Sequence, residues 1–285
     1  MIENFMNYIA HTRGYSDSTI KGYSYILGKF GSWLSTIGKD IDNPESIKLV
    51  DVYNFMESLS KEWLSARTCA WCTDGVRGYL RYCRDIMELD IVDLHKIKSP
   101  KVPERQLWFF SNDEKRILLK TFNNGVGHNE LTKLRNKLLV YMLLHTGLRC
   151  MEIAKIKVCE IWESLQVIGK WWARRFVYLR PELLDMIYLY LAKRKRKSDY
   201  LFDWIKGHIT TDRIRRILNT QTKKLWFRVH THKFRHTFAT DLLHIPHANI
   251  YAVSKLMGHK KITTTQVYLG TDNYELKNLQ FWLTF

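Results

Sequence analysis

His230-Thr-His232-Lys-Phe-Arg235-His-Thr-Phe-Ala-Thr240 sets a histidine and an arginine three positions apart, and so on one face of a helix. Phe234, Phe238 and Leu242 recur at helical spacing on another face and point into a core. Alone, His-x-x-Arg is a common pattern and reads equally as a solvated helix face. Its surroundings decide between that and a site for an anion.

Upstream, Thr146-Gly-Leu-Arg149-Cys-Met-Glu152 puts an arginine directly after a glycine-closed helix, with an acidic residue three positions on. Downstream, Leu256-Met-Gly-His259 is followed nine residues later by Tyr268. Arginine suits a phosphodiester under attack, because its planar fork binds phosphate oxygens and stays charged. A tyrosine can attack phosphorus only if its proton, with an ordinary pKa of about 10, is drawn off or its oxyanion is stabilised. Neighbouring arginines and a histidine supply that. A metal-dependent route needs clustered carboxylates instead. Asp40 with Asp42 and Asp90 with Asp93 have no partner cluster and read as surface or cap residues, so neither metal nor cofactor is expected.

Charge points the same way. Of the net +17, residues 1–100 carry 12 Lys/Arg against 13 Asp/Glu, net −1, and residues 101–285 carry 33 against 15, net +18. A basic half of that size attracts a polyanion, nucleic acid first, although a merely soluble basic protein has the same charge. The cysteines Cys69, Cys72, Cys83, Cys150 and Cys159 are odd in number, a reducing-compartment pattern, and Cys69-Ala-Trp-Cys72 lacks the second pair of a zinc site. Leu138 to Leu144 is too short an apolar run to span a bilayer. A soluble, cytoplasmic, nucleoid-associated protein is expected, with no membrane partner.

The 285 residues suit two domains. Ile2, Phe5, Met6 and Ile9 share a helical face. Ile20 to Leu34 keep helical spacing after Ser16-Asp17, Leu49 to Leu59 form a third helix, and Val76 to Met87 a fourth. Lys98-Ser-Pro-Lys-Val-Pro-Glu-Arg105 breaks the pattern as a linker, and Ser111-Asn-Asp-Glu114 opens the next helix with a capping box. Leu165–Ile168 and Arg175–Leu179 read as short strands joined by 169–174. Pro181 suits the first turn of a helix, Thr211 caps another, and Gly258 ends the one holding Ile250, Val253 and Leu256. Lys193-Arg-Lys-Arg-Lys197 reads as a nuclear-localisation or DNA-contact patch, or equally as a solvated helix end.

Four blocks in this order resemble the tyrosine recombinases, most closely their Xer-type and phage-integrase-like members. They are His145-Thr-Gly-Leu-Arg149-Cys-Met-Glu152, Val167-Ile-Gly-Lys170, His230 to Thr240, and Leu256 to Tyr268. The resemblance implies a mainly α fold. An N-terminal four-helix, SAM-like core-binding domain (1–97) is joined by a linker (98–107) to a mixed α/β catalytic domain (108–272), mostly helical with a small β-hairpin. A tail (273–285) follows for exchange between subunits. It implies that Tyr268 is the nucleophile, forming a 3′-phosphotyrosyl bond, and that Arg149 and Arg235 clamp the non-bridging oxygens. His232 assists proton transfer, Lys170 protonates the leaving 5′ oxygen, and His259 donates to the phosphate. Glu152 buttresses the arginine and histidine. In the family a second glycine usually follows the lysine. Here Trp171-Trp172 follow, so Arg174 competes with Lys170 for the leaving group, and the tryptophans either stack on DNA or a partner subunit or pack inside.

The resemblance further implies duplex DNA with short inverted-repeat sites as partner, a homo-tetramer on DNA, a monomer or dimer when free, and a Holliday junction between exchanges. The need for an accessory protein is open. The two domains are expected to clamp DNA. The chain starts directly at the core-binding domain, which suits a simple Xer-like enzyme without an arm-binding domain. Lys21, Lys29, Arg77, Arg81 and Arg84 are expected to gather on one face of the N-terminal domain as DNA contacts, and Arg174, Arg175, Arg213, Arg215 and Lys233 are expected to contact DNA from the other domain. Two rival functions remain: supercoil relaxation of the type IB topoisomerase kind, and catalytically silent DNA bridging.

Overall fold

The computed structural model describes residues 1–103, 108–168, 174–195, 198–204, 207–245, 248–259 and 261–266. Contacts divide the chain into two units, Met1–Arg105 and Gln106–Phe285.

The first unit is helical. α1 (Ile2–Asn7) runs on into a wide π turn (Tyr8–Thr12) and is followed by α2 (Asp17–Thr36), α3 (Leu49–Lys61) and α4 (Ala66–Asp85). The apolar stripes read from the sequence meet in one core, where Phe5, Ile26, Phe30, Val52, Phe55, Val76 and Leu80 are buried. α2 and α4 approach closely because α4 carries Gly75 against Ile26. A Cβ there would lie 2.6 Å from the Ile26 Cδ1. Cys69 and Cys72 are both buried on α4 as free thiols. Met87, expected at the end of the fourth helix, falls beyond it, since α4 stops at Asp85. Residues 97–99 are pinned to α4 rather than running free. Arg77 Nη2 donates to the Ile97 carbonyl at 2.6 Å and to Ser99 Oγ at 3.0 Å, and Ser99 Oγ donates to Asp74 at 2.8 Å.

The second unit is built around α6 (Glu130–Thr146), whose Leu138, Leu139, Val140, Met142 and Leu143 are all buried. A helix apolar on most of its circumference belongs in the middle of a fold. Around it pack α5 (Asn112–Asn123), α7 (Cys150–Ala154), α8 (Pro181–Lys193) and α10 (Thr231–Leu243). The capping box at Ser111 and Glu114 is present, at 3.1 and 3.0 Å. α9 (Thr211–Thr222) is capped by Thr210, one residue earlier than expected, because its hydroxyl reaches the Arg213 N–H at 3.1 Å. α11 (Ile250–Met257) and the short α12 (Thr263–Gln266) follow. The Phe110 N–H donates to Thr237 Oγ1 at 2.8 Å and so fastens the start of the unit to α10.

Two small sheets complete it. β1 (Ser164–Ile168) pairs antiparallel with β2 (Arg174–Tyr178), with Val167 opposite Arg175 and Ile168 opposite Arg174. β3 (Asp203–Trp204) and β4 (Gly207–His208) form a second hairpin that two-residue strands give no periodicity to foresee. Of the basic run 193–197, Arg194 is used inside the fold: its guanidinium donates to the carbonyls of Ser198 and Tyr200, each at 2.6 Å. Among the described residues, no helix is long and apolar enough to cross a membrane.

Candidate active site

Two glycines in the left-handed region build the floor of the site. Gly147 (φ 59°) ends α6 and Gly258 (φ 63°) ends α11, and both conformations are costly for any residue with a Cβ. The turn at Gly147 delivers Arg149 to the N-terminus of α7, and the turn at Gly258 delivers His259. One side chain joins the two turns. Arg235, buried on α10, donates from Nη1 to the Gly147 carbonyl at 2.6 Å and from Nη2 to the Met257 carbonyl. Arg149 Nη2 in turn reaches the Gly258 carbonyl at 3.5 Å. Residues 149, 235 and 259, far apart in sequence, therefore converge.

Glu152 sits behind them. Its carboxylate accepts the Arg149 N–H at 2.7 Å, Arg149 Nη1 at 2.9 Å, and both Nη atoms of Arg175 at 3.0 and 2.6 Å. Burial alone would raise the Glu152 carboxyl. The hydrogen bonds and charge of Arg175, then those of Arg149, outweigh it and hold the pKa below the ordinary value. The Arg149 side chain remains 41% exposed while Glu152 is 9% and Arg175 8% exposed, so Arg149 alone of the three presents its cation outward.

His259 donates or accepts through Nδ1 with Thr265 Oγ1 at 2.8 Å, and Thr265 is fully buried on α12. Its pKa is pushed down to about 4, by burial first and then by Arg235, Arg149, Arg175 and His236. Four cationic or ionisable groups thus oppose a proton on this imidazole. A pocket whose own cations repel a proton is suited to an anion.

His232 lies on α10 three residues before Arg235 and is exposed. Lys170, Tyr268, Trp171, Trp172 and the tail 273–285 lie outside the described residues. Among the described residues no cluster of His, Cys, Asp or Glu is arranged to hold a metal ion.

Several DNA contacts expected from charge alone are corrected. Lys233 is buried, with its ammonium on the Glu114 carboxylate at 3.0 Å and over the rings of Phe110 and Phe227 at 4.5 and 5.4 Å. A lysine facing an acid inside the core is not available to a phosphate. Arg175 is likewise committed to Glu152, which braces it together with Arg149. Arg213 packs its guanidinium over Trp204 at 4.6 Å. Arg215 pairs with Asp212 at 2.9 Å but stays exposed, as does Arg174. In the first unit, Arg77, Arg81 and Arg84 line one hollow of α4 together with His95 and Lys98. Arg77 is largely occupied there by Asp74, Ile97 and Ser99. Lys29 does not join them, being paired with Glu62 at 2.5 Å, and Lys21 is exposed on α2 outside that hollow.

Sequence reading missed three contributors: Thr265 behind His259, His236 one turn beyond His232, and the structural use of Arg175. The Thr-Thr-Thr run carried no signal that distinguished its third member. Only packing singles it out.

Residues 109–274 match the phage integrase family, and residues 2–85 match the SAM-like N-terminal domain of phage integrases. The chain belongs to the phage integrase family. Among curated relatives, a tyrosine recombinase XerC of Leptospira interrogans is 29% identical, covering 97% of this chain and 90% of its own. A tyrosine recombinase XerC of Staphylococcus aureus (strain JH9) is 27% identical over 97% of this chain and 94% of its own. The same integrase fold recurs in solved structures. A XerH site-specific recombinase in a post-cleavage complex with a palindromic difH substrate superposes with a TM-score of 0.77 at 22% identity, covering 94% of this chain and 80% of that one. A lambda integrase dimer on a COC′ core site gives 0.74 at 16% identity, covering 96% and 95%.

Proposed function

We propose that this integrase-family chain is a site-specific DNA recombinase that cuts and rejoins duplex DNA through a covalent bond to Tyr268. The observation that carries the reading is the convergence of Arg149 and Arg235 on the two glycine turns that frame His259. The names of the relatives, tyrosine recombinases that include XerC, agree with it.

In this reading a phosphodiester lies against Arg149 and Arg235, with His259 donating to a non-bridging oxygen. The phenolic oxygen of Tyr268 bonds to phosphorus and its proton passes to His232. The bond from phosphorus to the 5′ oxygen breaks, and Lys170 gives that oxygen a proton, leaving a 3′-phosphotyrosyl link and a 5′-hydroxyl. The 5′-hydroxyl of a partner strand then attacks the same phosphorus and releases the phenol. One phosphoester replaces another at each step, so no external energy source enters the balance. Two such exchanges pass through a Holliday junction, which calls for four protomers on two inverted-repeat sites, acting where chromosomal DNA lies. In this reading exposed cations such as Arg81, Arg84, Lys98, Arg174 and Arg215 make backbone contacts, which position a duplex without reading its sequence.

The test is to recover the DNA site by crosslinking from a fragment library, with Tyr268→Phe as control. Unaltered protein should leave DNA joined to protein through a 3′ phosphate, and the variant should bind the same site without joining. Binding with no covalent product from either protein would leave a bridging protein, and relaxation of supercoils without any site would leave a topoisomerase.

A further inference from the structure

Glu152 is a ready captor for Arg149. It lies three residues further on in α7 and is nearly sealed from water, and an arginine binds a carboxylate best through a two-bond fork. Yet Arg149 gives this carboxylate only one arm of its guanidinium, Nη1 to Oε1 at 2.9 Å. Its other arm, Nη2, turns toward the Gly258 carbonyl at 3.5 Å.

Arg175 occupies the place that the second arm would take. Reaching in from β2, 23 residues away in sequence, it sets Nη1 on Oε1 at 3.0 Å and Nη2 on Oε2 at 2.6 Å. Oε2 also accepts the Arg149 backbone N–H at 2.7 Å. An ionised carboxylate has about four lone-pair sites, and these contacts fill them. The stem of Arg175 packs on the neighbouring turn, where a Cβ on Gly258 would sit 3.1 Å from its Cδ and Nη1, so the fork has little room to swing away.

Charge follows the same division. One carboxylate faces two guanidinium groups, which leaves one positive charge over. Arg175 is 8% exposed and Arg149 41%, and the more deeply buried cation has the greater need of a counter-charge. Burial works against an ionised Glu152, and of the groups that overcome it Arg175 comes ahead of Arg149. The surplus charge is therefore that of Arg149, the one group of the three that faces outward.

We propose that Arg175 is a positioning residue that acts through Glu152: by filling the carboxylate it stops Arg149 from closing on its own helix neighbour, and so leaves the Arg149 cation for a phosphate group. The consequence for DNA rests on the recombinase reading. Arg175 itself is sealed from solvent, so its influence on a phosphate passes through Arg149.

The experiment uses the full chain and the recovered DNA site. Arg175→Gln removes the charge and the fork, and is expected to slow covalent cleavage by about 100-fold, the loss typical of withdrawing one donor from a charged transition state. Adding Glu152→Gln removes the captor as well, and the double variant should regain about tenfold or more of that loss. Arg175→Lys still neutralises Glu152 and should cleave within about tenfold of the unaltered protein. If Arg175 only supported the fold, the two substitutions would each remove a contact and the losses would add. A double variant no faster than Arg175→Gln therefore overturns the proposal. So does an Arg175→Gln protein as fast as the unaltered one, or an Arg175→Lys protein as slow as Arg175→Gln. Circular dichroism checks folding. If Arg175→Gln alone does not fold, the double variant and Arg175→Lys carry the test, and a loss of about 100-fold in both overturns the proposal. A crystal structure of Arg175→Gln without DNA gives an independent reading. Both Nη atoms of Arg149 should lie on the Glu152 carboxylate, and an Arg149 that still gives it only Nη1 overturns the proposal. If the unaltered protein forms no covalent product, the recombinase reading fails, while that structure still judges the capture of Arg149.

Discussion

Arg235 Nη1 donates to the Gly147 carbonyl at 2.6 Å, a bond that spans 88 residues of sequence and closes the site from below. The acceptor points the right way only because Gly147 adopts φ 59°. An alanine there pays about 1–2 kcal/mol for the left-handed backbone. Its Cβ would also fall 2.2 Å from the Phe238 Cδ1, which forces the Phe238 ring, or α10 with it, to shift. Gly147→Ala should therefore lose at least about 2 kcal/mol in denaturant unfolding. It should lose DNA cleavage beyond what that loss explains. A change below about 1 kcal/mol would show the turn to be far more tolerant than this packing allows.

His259 offers a pH test with a definite sign. Its folded pKa of about 4 lies below the ordinary 6.5, so the folded protein holds this imidazole neutral at pH 7. The stability it contributes is complete above about pH 6.5 and is lost as pH falls toward 4. A phosphate among Arg149, Arg235 and His259 offsets the repulsion and raises that pKa. DNA binding should then take up as much as one proton between about pH 4 and 6.5, tightening affinity as pH falls by at most about tenfold per unit. Titration calorimetry in buffers of different ionisation heat measures the uptake, and His259→Gln should abolish that share. Thr265→Val, which removes the partner 2.8 Å from Nδ1, should shift the pH profile of cleavage, and Thr265→Ser should restore it. An unmoved profile in Thr265→Val would count against the contact.

The buried pair Lys233–Glu114 makes a stability prediction separate from chemistry. Both side chains are nearly sealed, at 5% and 11% exposed, and Glu114 also closes the cap on α5. Lys233→Met strands an acid in the core and should cost about 3–5 kcal/mol in urea unfolding. Replacing both, as Lys233→Met with Glu114→Gln, should recover most of it, since a partnerless charge is what costs. Additive losses in the double variant would refute the pairing as the cause.

Much of the fold was legible because its helices carry long, regular apolar stripes. Phe30 and Leu34, or Leu138 to Leu143, have few other ways to leave water. The four motif blocks were legible for a different reason: glycine turns and charged residues at fixed spacing have few structural uses. What stayed hidden was which charges are spent inside the protein. In the sequence Lys233 and Arg175 look no different from the cations beside them, and only the acids that fold against them, Glu114 from 119 residues away and Glu152 from 23, withdraw them from solvent. The β3–β4 hairpin is too short for period or propensity to register. Thr265 is one of three identical neighbours, and its hydroxyl is distinguished by geometry alone.

The pinning of Ser99 to α4 has a mechanical result. Ser99 is held by Arg77 and Asp74, and Phe110 by Thr237, with ten residues between the two anchors. A polypeptide of that length, drawn straight, reaches roughly 40 Å and no farther. Stretching the chain beyond that reach would first break the hydrogen bonds that hold Ser99 to α4 or Phe110 to α10.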